Sequence, residues 1–329
     1  MNLPPIFAWE ITKACNLNCI HCRASATAKP DPLELSTKEG FTLLHELKHN
    51  GTSLVILSGG EALCREDVFD LASYGTLLGL RMTLATNGAL VTGQVARKIR
   101  ESGIVRVSVS LDAVNPDVHD DFRGLPGSFV MAVGAIKTLI AEGVPVQVNT
   151  TVAAVNISQM KRFPDFLRVL GVVAWHVFFL VPTGRGENVE PARIREYKDM
   201  LNTFYATSKD AQIECKATCA PQYYRMLTER DGKSPTRGCL AGTGFGFISA
   251  KGIVQPCGFL QIPCGDIRKE SLMDIWKNSE TLQLLRDMDE LKGKCLACKY
   301  KEVCGGCRAR AFEVLDDMVE EDPICWYAR

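Results

Sequence analysis

Fourteen cysteines in a chain of 329 residues constrain this fold more than any other feature of its sequence. Four of them lie between Cys15 and Cys64 and ten between Cys215 and Cys325, whereas residues 65–214 contain none. In a reducing compartment so many thiols favour metal or redox chemistry over disulfides. The distribution therefore predicts two groups of metal ligands around a cysteine-free scaffold.

The scaffold is predicted to be an α/β fold, because short β-rich runs alternate with amphipathic helical segments. The predicted strands are Ile6–Thr12, Ser53–Ser58, Arg81–Thr86, Val105–Leu111, Pro145–Val152 and Trp175–Val181. The predicted helices are Thr37–His49, Val68–Leu78, Gln94–Glu101, Phe129–Ala141 and Ser158–Leu170. This alternation predicts a parallel sheet with right-handed crossovers. Six units without an obvious seventh or eighth predict a partial (β/α)6 barrel, similar to an incomplete TIM barrel.

The pattern changes in the last third of the chain to short apolar pieces rich in Gly, Pro and Cys. We therefore expect a barrel domain over residues 1–212 and a cysteine-rich second domain over residues 213–329. A hairpin (Gly246–Ala250 with Gly252–Pro256) and a helix (Leu272–Met288) are its predicted elements. Because this segment offers little apolar core, bound metal is expected to stabilise it.

Polar and glycine-rich segments follow the predicted strands, at the edge of a parallel sheet where ligands bind. These segments are Lys13–Cys22, Ser58–Glu61, Thr86–Gly88, Ser110 with Asp112, Asn149, and Pro182–Gly186. Each alone could serve only as a turn. Together they predict one shared site.

The first cysteine group, Cys15, Cys19 and Cys22, directly follows the first predicted strand. Three thiolates can bind three irons of a [4Fe–4S] cluster, which ordinarily has four Cys ligands, so one iron stays open to a cofactor or substrate. The alternative is a zinc site with His21 as the fourth ligand. The adjacency of His21 and Cys22 makes that tetrahedral geometry awkward.

The sequence CNLNCIHC after the first strand, with SGGEAL after the second, resembles the radical S-adenosylmethionine (SAM) superfamily over residues 5–185. The resemblance implies that SAM chelates the open iron and that its reductive cleavage yields a 5′-deoxyadenosyl radical. It also implies the SAM contacts, which are Ser58, Gly59, Gly60 and Glu61 for the methionine amino group, Ser110 and Asp112 for the ribose, Asn87 and Asn149 for the sulfonium side, and Arg123 for the carboxylate. Ala62 replaces the more usual proline of this motif. The alternative for Arg123 is a surface ion pair with Asp120 or Asp121.

The carboxy-terminal cysteines resemble the SPASM extension of the same superfamily, which carries auxiliary [4Fe–4S] clusters. The resemblance implies two ligand sets, Cys295, Cys298, Cys304 and Cys325 in one and Cys239, Cys257, Cys264 and Cys307 in the other. Two residues, Gly305 and Gly306, precede Cys307 where the family usually has three. Cys64, Cys215 and Cys219 are left as free thiols, with Cys215 or Cys219 as alternatives to Cys264. Two four-cysteine zinc sites would satisfy the same count.

Four carboxy-terminal segments, KATCAPQYYR, TRGCLAGTGFGFIS, VQPCGFL and CGGCRARAF, resemble the tetrapyrrole-modifying branch of the superfamily. Within that branch, Cys307 favours the members with two auxiliary clusters. They convert two propionates of iron-coproporphyrin III to the vinyl groups of heme b by oxidative decarboxylation. The alternatives are decarboxylation of 12,18-didecarboxysiroheme, heme d1 maturation, peptide maturation, and a non-enzymatic iron–sulfur or zinc protein.

A tetracarboxylate substrate with an iron predicts cationic contacts and an iron ligand. The propionate-binding candidates are Arg23, Arg185, Arg308 and Arg310, and His176 could approach the iron. The alternatives are structural or solvent-exposed arginines and a buried, hydrogen-bonded histidine. Tyr223 and Tyr224 could stack on the macrocycle or pack in the core.

The overall charge gives no reason to expect nucleic acid or a membrane as a partner, since 38 basic residues balance 38 acidic ones. The longest apolar stretch, Val172–Val181, is far below the roughly 20 residues that span a bilayer, and no signal-peptide core precedes the first strand. We therefore expect a cytoplasmic enzyme. A low-potential donor such as ferredoxin or flavodoxin would supply its electrons.

Overall fold

A computed structural model describes residues 2–209 and 213–327, and its central feature is a ten-stranded sheet. The strands are β1 (Ile6–Thr12), β2 (Leu54–Gly59), β3 (Arg81–Thr86), β4 (Arg106–Ser110), β5 (Val146–Val152), β6 (Ala174–Phe179), β7 (Glu214–Thr218), β8 (Phe245–Ile248), β9 (Ile253–Gln255) and β10 (Gly265–Asp266). Strands β1 to β7 lie side by side in chain order and are parallel. β8 joins the other side of β1, also parallel, and antiparallel β9 and β10 complete that edge.

The helices are α1 (Thr37–His49), α2 (Val68–Leu77), α3 (Gly93–Glu101), α4 (Pro116–Arg123), α5 (Ser128–Ala141), α6 (Phe163–Leu170), α7 (Ile194–Ser208), α8 (Gln222–Asp231), α9 (Leu272–Asn278), α10 (Glu280–Arg286), α11 (Gly293–Leu296) and α12 (Arg308–Leu315). Helices α1 to α7 lie in the chain between successive parallel strands, and the remaining helices follow β7. Three 3-10 helices span Ala62–Cys64, Ile157–Arg162 and Gly184–Asn188.

The two faces of the strands differ in burial, and this difference defines the interior of the partial barrel. On β2, Val55 and Leu57 are fully buried and belong to the main core, whereas Ile56 and Ser58 between them are only half-buried. Side chains of a strand alternate between its faces, so one face packs under the helices and the other lines an accessible space. We call that space the lumen.

The fold class expected from the sequence is confirmed, and all six expected strands and the β8–β9 hairpin are present. The seventh parallel strand, β7, was not expected, and it pairs with β6 after the expected domain boundary. That boundary falls beside residues 210–212, outside the described residues, and both β7 and β8 beyond it extend the barrel sheet. Two helix predictions were too long, because Ser158–Leu170 begins as a 3-10 helix and Leu272–Met288 breaks at Ser279.

Over residues 2–209 and 213–327 no single helix has the length and apolar character to cross a membrane, although α4 and α5, which meet at a sharp bend, together reach that size by length and composition alone.

Candidate active site and cysteine clusters

The loop that carries Cys15, Cys19 and Cys22 is fixed by backbone hydrogen bonds at the carboxyl edge of the sheet. The N–H of Cys15 donates to the carbonyl of Thr27 at 2.8 Å. Arg185 holds the other end, since its backbone N–H donates to the Cys22 carbonyl at 3.0 Å and its Nε to the Cys19 carbonyl at 2.9 Å. The three thiols are therefore presented by a braced loop.

Each of these thiols faces an N–H donor, which is the environment that a thiolate ligand needs. Leu17 N–H lies 3.4 Å from Cys15 Sγ, Ala26 N–H lies 3.4 Å from Cys22 Sγ, and Arg123 Nη1 lies 3.9 Å from Cys19 Sγ. Burial nevertheless raises the pKa of Cys15 to about 11 and also raises that of Cys19. Iron reverses this preference because a coordinating thiol is deprotonated by the metal charge, so the three residues fit an iron–sulfur cluster.

The Ser58–Glu61 segment lies directly against the cysteine loop. Gly60 N–H donates to the Thr12 carbonyl and Glu61 N–H to the Ala14 carbonyl, both at 2.8 Å. A Cβ on Gly60 would lie 2.4 Å from the Ala14 carbonyl oxygen, so only glycine permits this approach. The predicted SAM segment and the cysteines therefore form one continuous surface.

Glu61 is fully buried, and its carboxylate holds the loop after β3. It accepts hydrogen bonds from Thr86 Oγ1 at 2.8 Å, Asn87 N–H at 2.7 Å and Leu63 N–H at 3.1 Å. Burial raises the pKa of Glu61, and these donors oppose that shift. Asn87, thus positioned, places Nδ2 2.8 Å from Asn16 Oδ1 and 4.0 Å from Cys15 Sγ. Glu61 orders the site, and its predicted contact with the amino group of SAM stays a prediction.

Asp112 and Arg123 form a buried ion pair rather than the separate sites expected from the sequence. Arg123 Nε and Nη2 both lie 2.6 Å from Asp112 Oδ2, while Thr151 N–H donates to Oδ1 at 2.7 Å. The surface pair with Asp120 or Asp121 is therefore wrong, and Asp112 meets Arg123 instead of offering an open acceptor to a ribose. His21 stacks on Phe122 at 3.9 Å between ring centroids, and its Nε2 lies 3.9 Å from Asp112 Oδ2.

Ser110 and Asn149 face the lumen on adjacent strands and are paired in register. Asn149 Oδ1 accepts a hydrogen bond from Gln147 Nε2 at 2.7 Å, which leaves its amide group as a donor. Both positions are half-buried, as the expected SAM contacts require.

The arginines proposed for propionates occupy two different environments. Arg308 and Arg310 are only 2% exposed, and backbone carbonyls, a thiol and one carboxylate already engage their guanidinium groups. Arg185 braces the cysteine loop, whereas Arg23 lies in the lumen, 3.5 Å from Glu10 Oε1 and stacked over Phe247. Among the four, Arg23 has the setting closest to a substrate contact.

The tyrosines and the histidine expected near a macrocycle also differ in setting. Tyr223 and Tyr224 are buried in α8, with their hydroxyls donating to Ser208 Oγ at 2.8 Å and the Ala217 carbonyl at 3.2 Å. They are packing residues. His176 faces the lumen, where Nε2 lies 3.5 Å from Glu214 Oε1, and its approach to a porphyrin iron stays a prediction.

The carboxy-terminal part contains a cavity of about 210 Å³ whose lining includes four thiols, those of Cys295, Cys298, Cys304 and Cys325. Arg225 and Asp322 also line it, and Arg308 Nη2 lies 3.8 Å from Cys295 Sγ. Four thiols around one cavity fit a fully ligated [4Fe–4S] cluster.

A second group of four thiols lies at the carboxyl edge of the barrel, and it includes Cys219 instead of Cys264. Cys219 directly follows β7, and its thiol shares a hydrogen bond with Cys307 that raises the pKa of Cys219. Cys239 and Cys257 lie within electrostatic reach of each other and of Cys307. Cys219 has a φ of +56°, a conformation rare for a residue with a side chain and common at functional sites.

Cys264 lies elsewhere, packed against the main core, where its thiol meets Ser279 and Arg286. Cys215 also packs against that core, whereas Cys219, Cys257 and Cys307 belong to a separate apolar cluster. The sequence left Cys215 and Cys219 as alternatives to Cys264, and the geometry favours Cys219. Cys64 receives the Asn16 N–H beside the first cysteine loop.

Two consecutive glycines direct Cys304 and Cys307 to different groups despite the shortened spacing. Gly305 and Gly306 have φ values of +67° and +63°, the left-handed conformation that glycine adopts without strain. A Cβ on Gly306 would lie 2.3 Å from Arg308 Nη2 and 3.3 Å from Cys295 Sγ.

Asp322 connects the two four-thiol groups. It is fully buried and accepts hydrogen bonds from Cys307 N–H and Gln222 Nε2, both at 2.8 Å, and from Arg310 Nη1 at 3.2 Å. Its position between the groups was not expected from the sequence, in which Asp322 is one acidic residue among several.

Within the part of the chain that the structure describes, no three His, Cys, Asp or Glu side chains are arranged around a single ion.

Comparisons with known proteins agree with this geometry. Residues 9–168 match the Radical SAM superfamily and residues 239–308 match SPASM, an iron–sulfur cluster-binding domain. The AdoMet-dependent heme synthase of Methanosarcina barkeri is 44% identical over 99% of this chain and 97% of its own. The chain belongs to the radical SAM superfamily. It is therefore a radical SAM enzyme, with SAM and an iron–sulfur cluster as cofactors.

A more distant relative and a solved structure are also similar to this chain. The pre-heme d1 synthase of Dinoroseobacter shibae is 28% identical over 98% of this chain and 86% of its own. The crystal structure of Streptococcus suis SuiB bound to S-adenosylmethionine superposes with a TM-score of 0.81 at 18% identity, covering 99% of this chain and 78% of that one. At that identity the likeness concerns the fold alone.

Proposed function

We propose that this radical SAM enzyme converts iron-coproporphyrin III to heme b by oxidative decarboxylation of two propionates. The observation that carries the proposal is the pair of four-thiol groups, one of which contains Cys219 and Cys307 at the barrel edge. The 44% identical heme synthase supports the same reaction class.

The chemistry explains why such a site would need more than one cluster. When bound, the first cluster supplies the electron that cleaves SAM to a 5′-deoxyadenosyl radical. That radical would take a hydrogen atom from the β-carbon of a propionate and become 5′-deoxyadenosine, and the substrate radical would then lose CO2 and one electron as the vinyl double bond forms. The departing electron requires an acceptor, and a fully ligated cluster can take it without binding the substrate.

The chain's own residues would divide this work along the carboxyl edge of the sheet. Cys15, Cys19 and Cys22 would hold the open-site cluster, and Ser58–Glu61, Asn87, Ser110 and Asn149 would surround SAM. Arg123 would stabilise the Cys19 thiolate from its buried pair with Asp112. The predicted contact of Arg123 with the SAM carboxylate would use the remainder of its guanidinium group.

The two auxiliary clusters would occupy the four-thiol groups, with Cys219, Cys239, Cys257 and Cys307 nearer the barrel and Cys295, Cys298, Cys304 and Cys325 in the cavity beyond. The first group follows β7 directly, so a cluster there would be the nearer acceptor for an electron from the lumen. The second would pass it on to an external carrier. Ferredoxin or flavodoxin is the proposed low-potential donor to the open-site cluster of Cys15, Cys19 and Cys22.

The test is anaerobic turnover of reconstituted enzyme with iron-coproporphyrin III, SAM and a low-potential reductant, followed by mass spectrometry. We expect a monovinyl intermediate followed by heme b, and none of either from a Cys22→Ala control. SAM cleavage without a vinyl product would refute this substrate and redirect the assay to siroheme-derived substrates. No SAM cleavage by protein with intact clusters would refute radical chemistry.

A further inference from the structure

The lumen contains a row of four neighbouring side chains at one height on β4, β5, β6 and β7. The strand register pairs Ser110 with Asn149, Asn149 with His176, and His176 with Lys216. Residues at matching positions of parallel strands point to the same face. The row therefore extends from the proposed SAM contacts, Ser110 and Asn149, to a histidine and a lysine on the far strands.

Lys216 differs from the other charged groups around it because it has no partner within the described residues. Glu10 pairs with Arg23 at 3.5 Å, and Glu214 lies 3.0 Å from Arg106 Nη1. The Lys216 ammonium makes no hydrogen bond or ion pair with any residue in 2–209 or 213–327, and the lysine is only half-buried. Burial lowers the pKa of Lys216. The charge of Glu214 opposes this shift, although its carboxylate makes no ion pair with the Lys216 ammonium.

His176 lies beside Lys216 and adds a neutral hydrogen-bond donor to its positive charge. Burial lowers the pKa of His176, and its Nε2 makes an ion-pair-range contact with Glu214 at 3.5 Å but no hydrogen bond that satisfies it. Among the described residues, this row thus places an unpaired ammonium beside an imidazole. Glu214 is largely neutralised by Arg106, so the local surplus of charge is positive.

We propose that Lys216, assisted by His176, binds a carboxylate of the substrate inside the lumen. The ligand class is a carboxylate on a flexible arm, as a propionate provides, because an ammonium and an imidazole N–H together donate to a single anionic group. This assignment rests on the proposed function and adds Lys216 to the substrate-contact candidates predicted from the sequence.

The position of the row explains how such a contact would orient the reaction. Two strand spacings, about 10 Å along the sheet, separate Asn149 from Lys216. A propionate arm and a lysine side chain together bridge a gap of that order. A carboxylate held at Lys216 would therefore direct the carbons of its arm toward the SAM side of the lumen. Lys216 is a positioning residue in this scheme.

The experiment measures binding separately from turnover. Anaerobic titration of the cluster-loaded enzyme with iron-coproporphyrin III, followed by the Soret band, gives the Kd for wild type, Lys216→Met and Lys216→Arg. Loss of a hydrogen bond between charged groups predicts a Kd about 10- to 100-fold weaker for Lys216→Met. Lys216→Arg, which keeps the charge, should recover most of this loss. The matched control is Lys137→Met on the exposed face of α5, which should bind like wild type.

A second ligand and a second readout separate charge from packing. The tetramethyl ester of the same porphyrin has no carboxylate, so wild type and Lys216→Met should bind it equally. Lys216→Met should also form more 5′-deoxyadenosine per vinyl group, because the arm is poorly held while SAM cleavage continues. Equal Kd values for wild type and Lys216→Met, or an equal loss with the ester, would overturn the assignment. Wild-type enzyme that cleaves SAM but neither binds nor converts the porphyrin would instead overturn the proposed function and this inference with it.

Discussion

Replacing Cys219 by alanine should remove one cluster from this protein, while replacing Cys264 should remove none. Cys219 shares a hydrogen bond with Cys307 at the barrel edge, and Cys264 packs beside Ser279 in the main core. Each [4Fe–4S] cluster contains four irons, so three clusters hold about twelve irons per chain and the loss of one leaves about eight. Alanine adds no backbone strain at Cys219, because cysteine already adopts a φ of +56° there.

The assay is iron and acid-labile sulfide per chain after anaerobic reconstitution, with EPR spectra of the reduced protein. Cys215→Ala is a further control, since Cys215 packs against the main core like Cys264. A loss of about four irons from Cys264→Ala, with a full complement in Cys219→Ala, would refute the structural reasoning and restore the ligand set implied by family resemblance. Loss from neither variant would show that no four-cysteine cluster forms at this edge.

Two further predictions address the cysteine loop and the pH dependence of stability. Gly60→Ala should abolish SAM binding and lower iron content, because its Cβ would lie 2.4 Å from the Ala14 carbonyl oxygen, whereas Gly93→Ala, with nothing within 4 Å, should match wild type in both. Burial lowers the pKa of His119 to about 4, from 6.5, and its Nδ1 accepts the Asp112 N–H at 3.1 Å. Between pH 6.5 and pH 4, the His119 imidazole therefore binds a proton in the unfolded chain but not in the folded chain. The free energy of unfolding falls as the pH drops through this range. His119→Gln should remove about 2 kcal/mol of the loss in unfolding free energy between pH 7.5 and pH 5, measured by urea denaturation, and an unchanged pH slope would contradict the assignment.

The β/α alternation was predictable because the hydrophobic pattern of a short window of sequence indicates each strand or helix. The boundaries of β1 and α1 agree with the expectation residue for residue. α1 begins where Ser36 and Glu39 form a capping box, a local signal. β7 escaped prediction because Glu214 and Lys216 interrupt its apolar character, and these residues are charged because they face the lumen rather than the helices.

The candidate site shows the same difference between features set by neighbouring residues and features set by contacts between distant parts of the chain. The spacing of Cys15, Cys19 and Cys22, and of Cys295, Cys298 and Cys304, is a property of short loops, so these candidate ligand groups were predictable from short windows of sequence. Strand order and burial place Cys219 rather than Cys264 beside Cys307 and pair Arg123 with Asp112. They also leave the Lys216 ammonium without a partner among the described residues. These features could not be predicted from the sequence, because each depends on which groups from distant parts of the chain contact the residue and exclude water around it.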